Sequence, residues 1–179
     1  MSDLVRWLIP AAIIVPASPG CYAVQYLSLA QAQAVIFAGA SEFVPAPVTL
    51  TGEQARRIEE LAGVRVRAPE QRVWQVRADG ELLGWFIVDE VYGKHELITY
   101  AVGLNADGSV RQIEVMDYRE AYGYEIRNPA WRRQFAGKRQ ADTPKLEQDI
   151  KNITGATLSC RHITEGVKRL LAFHQVALR

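Results

Sequence analysis

The chain predicts an α+β domain, a twisted antiparallel sheet with helices packed outside it. Three observations lead there. Strand-like stretches follow one another from residue 72 to residue 118 with only short turns between them. The helix signals lie before and after this block, not between its strands. The last stretch of the chain places apolar residues at helical spacing, which suits a helix laid on a sheet.

Each element follows from local chemistry. Ser28-Leu29-Ala30-Gln31 is a capping box that opens a short helix to about Phe37. Pro45 and Pro47 mark a loop. Thr51-Gly52-Glu53-Gln54 is a second capping box, and its helix runs to about Leu61 and stops at Gly63. Residues 72–77 then alternate Val73, Gln75 and Arg77 against Trp74 and Val76, a strand pattern. Asp79-Gly80 turns the chain into a strand over 82–91. Gly93-Lys94-His95-Glu96 reads as a hairpin turn into a strand over 97–104. Asn105-Ala106-Asp107-Gly108 turns again into 110–118. A loop around Gly123, a helix with Pro129 in its first position, and a polar linker from 137 to 144 come next. The closing helix carries Ile163, Val167, Leu170, Leu171 and His174 at helical spacing, with His174 expected at a surface or edge position near the helix end.

At 179 residues the chain is one domain, or one domain plus a leader, and 49% hydrophobic residues supply a proper core. A net charge of +1 with scattered arginines gives no reason to expect nucleic acid. Leu8-Ile9-Pro10-Ala11-Ala12-Ile13-Ile14-Val15, preceded by Arg6 and followed by Ala17-Ser18-Pro19-Gly20, has the layout of a secretory signal with cleavage after Ala23. A retained anchor reaching to Leu29 is the alternative, interrupted by Pro10, Pro16 and Pro19, where a spanning helix needs about 20 mostly apolar residues. Residues 1–23 are thus expected to be a signal peptide or membrane anchor and residues 24–179 the domain, lying outside the cytoplasm. Cleavage would remove Cys21 and leave Cys160 alone, so no structural disulfide is expected, and Cys160 is assigned no redox role.

The run Asp149-Ile150-Lys151-Asn152-Ile153-Thr154-Gly155-Ala156-Thr157-Leu158-Ser159 carries the most chemistry. It is a hydroxyl-rich turn with one glycine and one alanine, feeding the closing helix. Unpaired N–H groups and the positive dipole end suit an anion there. Small residues at 155 and 156 let it approach the backbone, with Thr157 as the nearest hydroxyl. The same residues also compose an ordinary helix start, with Thr154 or Ser159 as cap. His162, in the first turn, is a phosphate contact or a solvated helix residue. His95 and Glu96, adjacent and pointing different ways in a strand, are too few for a metal or acid/base site. No Gly-x-Ser-x-Gly elbow is present, and Ser159 lacks a base partner for nucleophilic catalysis.

The group Asp149, Thr154, Gly155, Ala156 and Thr157 resembles the signature of the FMN-binding domain family, found in flavin subunits of Rnf and sodium-pumping quinone reductase complexes and in single-domain exported proteins. Position 150, often Gly in that family, is Ile150, and position 152, usually a hydroxyl residue, is Asn152. A second stretch, Asp117-Tyr118-Arg119-Glu120-Ala121-Tyr122-Gly123-Tyr124-Glu125-Ile126 with Trp131-Arg132-Arg133-Gln134-Phe135 after it, resembles that family's loop beside the flavin and the short helix that follows the loop. The likeness covers roughly residues 70–175.

The resemblance implies FMN as cofactor, esterified to Thr157 by a flavin transferase that uses FAD. It implies a site of Asp149, Thr154, Gly155, Ala156, Thr157, Leu158 and Ser159, with Glu120, Tyr122 and Gly123 beside the ring. Lys94 and His95 would offset phosphate charge, and Tyr118, Tyr122, Tyr124 and Trp131 are the aromatics available to pack on the ring. The implied role is extracytoplasmic electron transfer, with a membrane reductase, a haem protein or a quinone-linked complex as partner and no assigned catalytic residue. Two other classes fit the same residues: a flavin-dependent enzyme or sensor acting on a small substrate, and an exported interaction domain that is never flavinylated.

Overall fold

A computed structural model describes residues 24–120 and 122–178; the expected leader, with Cys21 and the cleavage point at Ala23, lies outside them. The sheet consists of β1 (Val24–Gln25), β2 (Glu42–Pro45), β3 (Val48–Thr49), β4 (Glu70–Ala78), β5 (Glu81–Tyr92), β6 (Leu97–Asn105) and β7 (Val110–Tyr118). Its order is β1-β7-β6-β5-β4-β2, with β3 also on β4, and every pairing is antiparallel. The long strands 4 to 7 are the four expected. Asp79 and Gly80 turn β4 into β5 with positive φ values of 51° and 83°, the backbone a two-residue hairpin requires.

Both faces of this sheet are covered. One carries α2 (Gly52–Ala62) and α4 (Thr157–Phe173), which bury Ile58, Ile163, Val167, Leu170 and Leu171 against Val73, Ile87, Tyr100, Val102 and Ile113. The other carries α1 (Leu29–Ile36), whose Ala32 and Ile36 pack with Phe37 on Val76, Phe86, Val88 and Ala101. The two-sided burial explains why β4 and β5 are apolar at odd and even positions alike. Both capping boxes form: Ser28 with Gln31, and Thr51 with Gln54, where Gly63 closes the helix in the left-handed conformation. No described helix is long and apolar enough to cross a membrane.

Three places differ from expectation. The loop around Pro45 and Pro47 contains β2 and β3, because β4 offers them an open edge; Pro45 ends β2 at the sheet margin, where its missing N–H costs little. β1 pairs with the outer edge of β7 (Val24 with Tyr118), an assignment no local pattern announces. His174 is not a surface residue: only 3% exposed, it opens a π-helical turn (His174–Leu178) after α4 and sits against Gly108.

Candidate functional site

Three separate segments meet at the start of α4. The turn between β5 and β6 supplies Lys94, His95 and Glu96; the loop after β7 supplies Arg119, Glu120 and Tyr122; the helix start supplies Gly155, Ala156, Thr157, Leu158 and Ser159. Together they line an open cleft of about 450 Å³, within the range of small-molecule and cofactor sites.

The helix start itself is unusual in one respect. Its N-cap is Ala156, which offers no side-chain hydrogen bond, so neither Thr154 nor Ser159 acts as the cap. The N–H groups of the first turn therefore lack the oxygen that Ser28 and Thr51 supply to α1 and α2. Gly155 precedes the cap with φ at +87°, which lets the turn fold back with no side chain over the N–H groups. With 17 residues of aligned peptide dipoles behind it, this end carries roughly half a positive charge. Thr157 is the first helical residue, and its Oγ1 accepts a hydrogen bond from Asn152 Nδ2 at 3.1 Å.

Glu120 organises the opposite wall. Its Oε1 accepts from three consecutive backbone N–H groups, those of Lys94, His95 at 2.5 Å and Glu96 at 3.0 Å. Burial alone would push its carboxyl up, but these three donors hold it below the ordinary carboxylate value. Gly93 makes the approach possible, since a Cβ there would run into the Glu120 carboxylate. The Gly93–Glu96 turn is the hairpin expected, closed by Gly93 N–H on the Glu96 carbonyl at 2.8 Å. Glu120 thus builds the cleft through the chain it holds.

Gly123 locks the β7 loop onto α4. At φ +89° it passes between Tyr118 and Ala156, where a Cβ would lie 2.6 Å from the Tyr118 hydroxyl and 3.0 Å from the Ala156 Cβ. The Tyr118 hydroxyl donates to the Tyr122 carbonyl and lies 3.4 Å from Ser159 Oγ, and burial pushes its phenol up. Gly123 therefore shapes the cleft from behind and does not line it.

The remaining residues divide clearly. Lys94, His95, Glu120, Tyr122, Gly155, Ala156, Thr157, Leu158 and Ser159 come together at the cleft, and Thr154 adjoins it in the turn. Asp149 does not reach it: its Oδ2 accepts the Lys145 N–H at 3.1 Å and its Oδ1 faces Lys138 Nζ at 3.7 Å, closing a separate turn. Trp131 is core, its indole N–H donating to the Lys151 carbonyl at 2.8 Å and its ring 5.3 Å from Phe135. Among the described residues, Tyr122, 83% exposed, is the aromatic that lines the cleft. His162, partly exposed, meets the Tyr92 carbonyl through Nδ1 at 2.5 Å and so ties α4 to the end of β5. Glu96 and Arg119 line the cleft without having been singled out. Their neighbours Lys94, His95 and Glu120 were, and adjacency in the same two loops was the signal available.

The FMN-binding domain family matches residues 93–172. A component of the Na(+)-translocating NADH-quinone reductase of Yersinia pestis is 36% identical over 89 residues, which is 47% of this chain and 33% of that component. This chain therefore aligns with only about a third of that relative's length. A component of the Na(+)-translocating ferredoxin:NAD(+) oxidoreductase complex of Acetobacterium woodii is 23% identical over 147 residues, 75% of this chain and 71% of that one. Among solved structures, Shewanella oneidensis NqrC shares the fold with a TM-score of 0.50 and 18% identity, over 79% of this chain and 73% of its own. Among the described residues, all eleven that line the cleft fall inside residues 93–172, the segment that matches the FMN-binding domain family.

Proposed function

We propose that this protein is an electron-transfer flavoprotein that works outside the cytoplasm and holds FMN through a phosphoester to Thr157. The observation that carries the proposal is the start of α4, which has no side-chain cap and whose first residues, Thr157 among them, line one cleft. The chemistry of that donor set suits the phosphodiester that would join FMN to Thr157. The first-turn N–H groups would take the phosphate oxygens, and Gly155 and Ala156 leave the approach clear. Lys94 and His95 border the same space and would offset the charge. Tyr122 and Leu158, both exposed at the rim, supply apolar surface for a ring.

Bound FMN supplies one- and two-electron redox chemistry. The protein's share is attachment and access. A covalent link removes dissociation, which matters where free flavin is scarce, and the open cleft allows a donor or acceptor to come close. A flavin transferase using FAD would load Thr157. A membrane reductase, a haem protein or a quinone-linked complex would exchange the electrons. The relatives' names, a quinone reductase and a ferredoxin:NAD(+) oxidoreductase, support membrane redox partners of this kind.

The test is co-expression of the exported chain with a flavin transferase, followed by in-gel fluorescence and intact mass. Wild type should fluoresce and gain the mass of FMN less one water, and Thr157→Ala should do neither. Fluorescence that survives the substitution would overturn the assignment. A flavin that turns over a soluble substrate and that no membrane donor reduces would favour an enzyme or sensor instead.

A further inference from the structure

We propose that Asn152 is the positioning residue for loading of Thr157, an inference that rests on the phosphoester reading above. Asp149 is turned away toward Lys138 and Lys145. The side chain that touches the acceptor hydroxyl is Asn152, through Nδ2 to Thr157 Oγ1 at 3.1 Å. The orientation of that amide is set independently, because its Oδ1 accepts the Ile153 N–H at 2.9 Å. With the oxygen end held by a backbone donor, the NH₂ end faces Thr157. The result is a neutral donor clamped onto one lone pair of the hydroxyl, which leaves the other lone pair and the hydroxyl proton free.

That arrangement suits the transfer step. Thr157 Oγ1 bonds to the phosphorus of the FMN half of FAD, the P–O bond to the AMP half breaks, AMP leaves with that bond's electrons, and the hydroxyl proton passes to a base on the transferase. Asn152 fixes the torsion of Thr157 before this happens, so the oxygen need not be found among rotamers. A donor also remains compatible with the product, since the ester oxygen can still accept. A carboxylate at 152 would be wrong twice over: it would take the hydroxyl proton as a hydrogen bond, and it would set a negative charge beside the incoming pyrophosphate.

Asn152→Asp isolates the donor, because it is isosteric and keeps an oxygen for the Ile153 N–H. The full exported chain, produced without transferase, is incubated with purified flavin transferase and FAD. Initial rates are read by intact mass over a range of chain concentrations, and melting temperatures are taken alongside. Asn152→Asp should lower kcat by roughly tenfold or more with KM for the chain unchanged, and Asn152→Ala by roughly fivefold, the size of one lost hydrogen bond. Melting of the Asp variant should match wild type. Wild-type kcat in either variant overturns the proposal, as does a loss confined to KM, which would mark a docking contact. Thr157→Ala in the same assay separates the two levels: if it is still labelled, the phosphoester reading fails; if it is not and Asn152→Asp loads normally, only the role of Asn152 fails.

Discussion

Thr157 and Arg169 stand about three turns apart on the same helix, and their surroundings are opposite. Around Arg169 the buried charge is paired. Its guanidinium meets Asp89 Oδ2 at 2.5 Å, both side chains are about nine-tenths buried, and the Tyr100 hydroxyl donates to the same oxygen at 2.5 Å. Burial, with the Asp89 charge beside it, pushes the Tyr100 phenol well up, so it stays a donor. Around Thr157 the helix has no side-chain cap, and its first residues line an open cleft. The body of α4 is therefore anchored by satisfied contacts to β5 and β6, and its start is left incomplete. A helix with 17 residues can carry an unsatisfied end only because its later turns hold it in place.

Breaking the open end should have the largest effect on function and little on the fold. Thr157→Ala removes covalent flavin altogether, read by intact mass, with the melting temperature nearly unchanged. Breaking the anchored end should do the reverse. Asp89→Leu leaves Arg169 buried without its partner and should cost about 3–5 kcal/mol in denaturant unfolding. Asp89→Leu combined with Arg169→Leu should recover most of that loss, since no charge is then stranded. A double variant as unstable as the single one would show that the pair is not what anchors α4.

Smaller changes sharpen the contrast at the seam between the two regions. Gly123→Ala forces a side chain into left-handed backbone and onto the Tyr118 hydroxyl, and should cost about 2 kcal/mol. It should also slow loading of Thr157, because the loop it displaces packs on Ala156. Glu120 gives the smallest effect, and a pH-dependent one. Its folded value lies below the unfolded one, so its contribution is complete above roughly pH 5 and is lost as pH falls through the folded value. Protection of the Lys94, His95 and Glu96 amides, taken relative to their intrinsic exchange rates, should fall in that acid range. Glu120→Gln should raise exchange roughly fewfold at neutral pH and flatten the acid dependence, as a neutral acceptor replaces a charged one.

The fold was legible wherever the deciding chemistry is local. Ser28 with Gln31, Thr51 with Gln54, and Asp79-Gly80 each settle an element within four residues of sequence, and each forms as read. The cleft was legible to the extent that its residues fall in two recognisable motifs and one turn. Reading failed where the partner is distant. Trp131 looked available to a ring, yet its indole is committed to Lys151, 20 residues on. His174 looked like an edge residue, yet the turn at Gly108 covers it. Asp149 belonged to the motif by spacing, yet Lys138 and Lys145 hold it outside the cleft.

By itself, the amino-acid order determined the antiparallel strand sequence, the capped helices and the start of the closing helix at Thr157. Turns, caps and periodicity act over a few residues, and nothing distant has to agree for them to form. Tertiary structure decided which residues face that helix start. Glu120 reaches back 24 to 26 residues to shape the turn at 94–96, and Tyr118 reaches 41 to Ser159. Such contacts exist only once β5, β6, β7 and α4 have been brought to one end of the sheet, and that placement is set by burial of their apolar faces.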